Sequence, residues 1–194
     1  MTNPPFDLEA AAASLETVVA GVPDDRLDDP TPNDGRTVRG LIAHIAGLTE
    51  AFRQGAAKEG LGTSQPPAAE PELPADWRTR IPAQLKSLVA AWREPDAWVG
   101  DTEVGGARMP APGIAAFGLD ELVVHGWDLA VATGQDYATP STADLEVLTG
   151  LLADNPPEGV PGLFGPVVTV APEASAFDRI LGLTGRDPSW KPSR

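Results

Sequence analysis

Leu119-Asp120-Glu121-Leu122-Val123-Val124-His125-Gly126-Trp127-Asp128 is the stretch on which the reading of the whole chain turns. Apart from Asp120, Glu121, His125 and Asp128 it is apolar on every side. That pattern predicts a helix buried all round, not an amphipathic surface helix. Glu121 and His125, four residues apart, fall on one face, about 6 Å apart along the axis at ~1.5 Å per residue. A buried Glu121 without a partner is costly, or takes up a proton. A divalent metal ion resolves the conflict, because it keeps the carboxylate ionised and uses the lone pair of the imidazole.

A catalytic metal site wants three protein ligands and an open position. The chain has two histidines and no cysteine, so the third candidate is His44, within the apolar stretch Leu41-Ile42-Ala43-His44-Ile45-Ala46-Gly47. The competing reading is two ordinary core histidines, with Glu-x-x-x-His a chance spacing. The triad His44, Glu121 and His125 is the sharper expectation.

Working outward, Asn3-Pro4-Pro5 reads as a helix start, and Leu8, Ala11, Ala12, Leu15, Val18, Val19 and Val22 follow helical spacing to a stop near Gly21 and Pro23. Thr37 is the expected N-cap of a second helix, whose core stripe is Val38, Leu41, Ile42, Ile45, Leu48 and Phe52. His44 lies beside that stripe with Gly40, Gly47 and Ala51, small residues expected to let a neighbouring helix come close. The low-complexity connection from Gly55 to Pro74 reads as a lid or a flexible surface segment. A third helix is expected from about Asp76 to Arg93, with Pro82 in its first turn or so. A short hairpin is possible across Gly105-Gly106, and the buried fourth helix runs from about Gly113 to Thr133, closed by Gly134. Ser141 caps a fifth helix, Val167 to Val170 is a short strand or extended arm, and Ala174 to Leu183 is a last short helix. The sum is an all-α protein: a four-helix bundle over residues 1–136, with a small helical C-terminal addition over residues 137–194 packed on it.

The formal charge of −14 argues against nucleic acid or an anionic membrane as partner. No apolar run is long enough to span a bilayer. The residues Met1 to Pro5 do not resemble a signal peptide, and cysteine is absent, so a cytoplasmic protein is expected. Any thiol chemistry must then use a thiol brought from outside the chain.

Three stretches resemble one known family: Glu121 through Asp128 continuing to Ala132-Thr133-Gly134-Gln135, Thr37-Val38-Arg39-Gly40-Leu41-Ile42-Ala43-His44, and Phe177-Asp178-Arg179-Ile180-Leu181-Gly182-Leu183-Thr184-Gly185-Arg186-Asp187-Pro188. Together they are similar to the mycothiol-dependent maleylpyruvate isomerase metal-binding family, within the DinB-like superfamily. The resemblance implies a DinB-like four-helix bundle with the metal between helices, His44, Glu121 and His125 as ligands, usually zinc as the metal, and mycothiol as co-substrate. Nickel or iron(II) would also suit such donors. Relatives often carry Trp where this chain has Arg36, and Asp where it has Gly40, so the mouth of the site differs while the ligands do not.

The leading functional expectation is a metal-dependent thiol transferase or isomerase that activates mycothiol as a thiolate against an electrophilic small molecule. Asp128, three residues after His125, is a candidate for orienting a ligand imidazole or meeting the co-substrate, against a plain salt bridge. Arg186 is a candidate for pairing with a carboxylate of substrate or thiol, against an ordinary surface arginine. Trp127 reads as core packing, with substrate stacking as the other role. The alternatives are a metal-dependent hydrolase, a non-haem iron enzyme on a helical scaffold, or a non-enzymatic protein with a structural ion. The assembly expected is a monomer or homodimer.

Overall fold

The computed structural model describes residues 4–33, 35–66, 68 and 71–192. Four long helices, α1 (Glu9–Gly21), α2 (Val38–Ala57), α3 (Trp77–Arg93) and α4 (Ala111–Thr133), form a bundle. Each of α1 and α2 packs on both α3 and α4, so the ring order is α1, α3, α2, α4 and sequence neighbours α1 and α2 lie across a diagonal. Between α3 and α4 a hairpin of β1 (Asp101–Val104) and β2 (Ala107–Pro110) pairs Thr102 with Met109. Its turn, Gly105-Gly106, has φ of 62° and 80°, values that favour glycine and give the tight turn of a two-residue hairpin. Two shorter helices, α5 (Thr142–Leu151) and α6 (Ala176–Leu183), complete the chain.

The caps explain most boundaries. The Thr37 side chain accepts from the Gly40 N–H at 3.2 Å and starts α2. Ser141 with Asp144, and Ser175 with Asp178, are capping boxes that start α5 and α6. Gly134, in the left-handed region, closes α4.

The first helix begins at Glu9, later than the Pro-rich start expected; the Asp7 carboxylate accepts the Glu9 N–H at 2.7 Å, and Asn3 lies outside the described residues. Helix α4 begins two residues early, at Ala111, with Pro112 in the first turn, where its missing N–H is not needed. Pro82 stands in the second turn of α3 rather than the first. The last helix starts at Ala176, after its serine cap. Residues 167–170 form an extended arm without a strand ladder, and the Val168 N–H donates to Gly182 O at 2.9 Å.

Helix α4 is buried all round because it is packed by α1, α2, α5 and both strands. The core joins Leu15, Leu41, Ile42, Ile81, Leu85 and Leu119 with Leu148 and Ile180 of the C-terminal part in one cluster. Each such side chain contributes about 1.5–3 kcal/mol by burial. Trp127 lies in this core. The expected small-residue seam on α2 is not a seam: a Cβ on Gly47 would meet nothing within 4 Å, and one on Gly40 only Thr37 Oγ1 at 3.6 Å. Close approach of α2 and α4 comes instead from Gly118, where a Cβ would lie 3.1 Å from the Phe52 ring, and from Gly55 beside Val104 and Ile114. These pairings also set α2 antiparallel to α4, which brings His44 level with Glu121 and His125.

The connection after α2 is partly tied down. Glu103 accepts from Gly62 N–H and from Ser64 Oγ–H, both at 2.9 Å, and Ser64 Oγ accepts from Gly106 N–H at 2.9 Å. This clamp sits beyond the C-terminal end of α2, roughly 20 Å along the axis from His44 at ~1.5 Å per residue, so residues 60–66 do not cover that histidine. Among the described residues, no helix is long and apolar enough to cross a membrane.

Candidate metal centre

One side chain from α2 and two from α4 converge. His44, Glu121 and His125 each present an atom able to bind a metal, and these atoms lie within 4.8 Å of one another. The two imidazole rings stand edge to face, with centroids 5.2 Å apart. His125 Nε2 lies 2.8 Å from Glu121 Oε2, and Glu121 keeps 24% of its side chain exposed. The cluster is therefore reached from solvent along Glu121 while His125 is buried.

Behind the cluster lies a second layer. His125 Nδ1 is 3.0 Å from Asp128 Oδ2, and Asp128 is fully buried. Arg186 grips the same carboxylate, Nη2 donating to Oδ2 at 3.0 Å and Nε to Oδ1 at 3.3 Å. Its Nη1 donates to Thr184 O at 2.7 Å, so all three guanidinium nitrogens are engaged. The reading of Arg186 as an ordinary surface residue fails: it is 7% exposed, because α6 and the turn after it carry it inward onto Asp128. Sequence separation hid this pairing, for Asp128 and Arg186 are 58 residues apart.

The electrostatics follow from burial and these partners. Burial lowers the His44 pKa to about 4, helped by His125 and by the Arg36 and Arg186 charges against Glu121, so its lone pair is available at neutral pH. For His125 burial works against the charge, but Glu121 and Asp128 outweigh it and raise the pKa to about 9. Burial alone would raise Glu121; His125 beside it brings the net shift below the ordinary carboxylate value. Asp120 is pushed up to about 7, by burial first and then by Glu121, and its Oδ1 has no partner. In the sequence the one signal for Asp120 is its place in an apolar run.

The residues suit a divalent ion. His44 Nδ1 is buried with no hydrogen-bond partner, an expense that protein interiors avoid unless another group satisfies it. Two imidazoles and one carboxylate form a donor set typical of zinc and of other first-row metals. By contrast, a hollow of about 300 Å³ beside the hairpin holds Glu59 and Glu103, but Arg53 pairs with the first and the Gly62 and Ser64 donors satisfy the second.

A four-helix bundle with two imidazoles and a carboxylate on facing helices defines a class: helical proteins with a candidate metal site inside the bundle. The sequence profile described as mycothiol maleylpyruvate isomerase N-terminal domain matches residues 8–130, and the chain belongs to that family. It is similar to two uncharacterized proteins of Mycobacterium tuberculosis, from strains CDC 1551 and H37Rv, each 31% identical over 160 residues. The match covers 69% of this chain and spans 59% of the length of each of those relatives. Among solved structures, the mycothiol-dependent maleylpyruvate isomerase superposes with a TM-score of 0.59 at 18% identity, covering 78% of this chain and 72% of that one. A histidine-to-alanine mutant of the isomerase gives 0.58 at 19% over the same shares. At such identity the likeness is one of fold, and the fold is the DinB-like helical bundle.

Proposed function

We propose that the chain is a metal-dependent thiol transferase or isomerase that takes mycothiol as co-substrate and a small electrophile as its other substrate. The observation that carries this reading is the convergence of His44, Glu121 and His125 within 4.8 Å. The family and the isomerase of the same fold support mycothiol as the thiol. The absence of cysteine is consistent with a borrowed thiol. Zinc is the ion we assign, with nickel or iron(II) the competitors. Held by His44, Glu121 and His125, such an ion would supply acidity to a thiol at neutral pH.

The residues of the chain do the rest. His44, neutral at pH 7, offers its lone pair without first losing a proton. Asp128 accepts the Nδ1–H of His125 and so turns Nε2 toward Glu121. Arg186 holds the Asp128 carboxylate in place through two hydrogen bonds, and we assign it this positioning role rather than direct contact with thiol or substrate, since each of its three nitrogens already donates to a buried partner. The apolar walls of α2 and α4 restrict water around the nucleophile.

The test is turnover of a reactive bimane by zinc-loaded protein with mycothiol, beside other low-molecular-weight thiols and beside His44→Ala. Mycothiol-dependent conjugation that disappears in the variant is expected. Thiol-independent hydrolysis, or oxygen consumption with iron bound, would transfer the site to the hydrolase or oxygenase reading. No chemistry with any thiol or electrophile in fully loaded protein would leave a structural ion.

A further inference from the structure

The cluster opens to solvent along Glu121, and its surroundings there are apolar. In the register set by Gly118 on Phe52, Leu48 of α2 comes level with Glu121. Leu48, Thr49, Gly118 and Glu121 share the lining of a crevice of about 10 Å³ between the helices. That is the space of one water, so a substrate must lie over Glu121 and not inside the crevice. Phe117 stands one helical turn before Glu121 on the same face of α4, about 6 Å along the axis. Its ring is half-buried and lies against the half-buried ring of Phe164, with centroids 6.3 Å apart and planes 16° from parallel.

Phe164 belongs to Gly159-Val160-Pro161-Gly162-Leu163-Phe164-Gly165-Pro166-Val167-Val168, ten consecutive residues without one polar side chain. In a core such a run is ordinary, but this one lies at the surface. Leu163 is 56% exposed, and Pro161, Gly162, Gly165 and Pro166 are exposed beside it. Apolar surface gathered in one place marks a binding site. The loop is also firmly built. Val160 and Phe164 exchange N–H to carbonyl bonds, each 2.9 Å. Behind it Gly165 meets Gly185 so closely that a Cβ on Gly185 would lie 2.8 Å from the Gly165 Cα. Gly185 precedes Arg186, which grips Asp128, which in turn holds His125. Loop and cluster are thus fixed in one frame.

We propose that Phe117 and Phe164 are specificity-determining residues: they form an aromatic wall beside the cluster, and the electrophile that suits it carries a flat, conjugated or aryl portion. This deepens the proposed function and rests on the cluster being its active site. A flat π system meets such rings offset or edge-on, at centroid separations of about 4.5–7 Å. Leu48, level with Glu121 across the opening, supplies the facing apolar edge. A saturated ring of the same size gains burial but no ring–ring attraction, and that difference is what the experiment reads.

Dissociation constants of 2-naphthamide and of its saturated decalin counterpart are measured by ligand-observed NMR, on zinc-loaded and metal-free protein. The chains compared are the wild type, Phe117→Leu, Phe164→Leu and Phe164→Tyr. The wild type should hold the naphthamide more tightly than the decalin amide. Each leucine variant is expected to weaken the naphthamide by about twofold to tenfold, the scale of one lost ring pairing, and to leave the decalin amide unchanged. Phe164→Tyr should keep the preference, and zinc content should be the same throughout. With mycothiol and zinc, the KM for a reactive bimane, itself flat, should rise in the leucine variants at unchanged kcat. Equal binding of the two amides by the wild type, or an unaltered preference in both leucine variants, overturns the proposal. The wild type gives a check that no misfolded variant can spoil: NOEs from the naphthamide to the Phe117 and Phe164 ring protons, whose absence overturns it as well. A preference for the flat amide without thiol turnover removes the proposed function and leaves the wall as the site of a flat ligand. Mycothiol turnover without that preference keeps the function and removes the wall.

Discussion

At the scale of single residues, the account rests on a relay from Arg186 through Asp128 to His125. Asp128→Asn keeps the shape but removes the charge that holds the imidazole, and should cost about 10–100-fold in zinc affinity. Competition with a chromophoric chelator reads it; an unchanged affinity would place Asp128 outside the site's machinery. The protonation states give a second expectation. Without metal, His125 holds its extra proton up to about pH 9, while His44 is neutral above about pH 4. A metal must displace the His125 proton, so affinity should rise with pH, by about tenfold per unit within that window, releasing one proton per ion. Calorimetry in buffers of different ionisation enthalpy measures this, and uptake without proton release would contradict it. His44, Glu121 and His125 were legible because each is a titratable residue in an apolar helix, where such a residue needs a reason. The clamp of Arg186 on Asp128 was not legible, since only the folded tail brings a residue 58 positions away onto that carboxylate.

At the scale of elements, the helices were readable where side chains cap them. Thr37, Ser141 and Gly134 mark boundaries in sequence because each satisfies backbone groups locally. The α1 start was misplaced because prolines permit a helix start without requiring one, and the Asp7 carboxylate set it nearer the core. Small residues were the harder case, since composition does not say which face is covered. Gly47→Ala, on an exposed helical face with nothing near its Cβ, should raise stability by about 0.5–1 kcal/mol. Gly118→Val should do the opposite, by about 1–3 kcal/mol, because its side chain would press on Phe52 and push α2 from α4. Thermal melts of the two variants decide between this packing and a seam along Gly40 and Gly47, which would reverse the order.

For the molecule as a whole, the all-α class followed from helical periodicity, but the diagonal placement of α1 and α2 did not, because ring order depends on which stripes meet and not on where they lie in sequence. The division at residue 136 is a proposal, and the C-terminal part shares the bundle core through Leu148, Leu152, Ile180 and Leu181. Deleting residues 137–194 would uncover that side of α4 and leave Asp128 without Arg186, a loss on the scale of about 3–5 kcal/mol for a broken buried pair. The shortened chain should melt at much lower temperature and hold zinc weakly; unchanged behaviour would make the addition a passenger. The central claim, one ion held between two helices, is tested most directly by metal content. Elemental analysis after zinc loading and dialysis should find a single zinc per chain in the wild type, and almost none in His44→Ala, Glu121→Gln and His125→Ala that remain folded by circular dichroism. Full zinc content in those folded variants would contradict it.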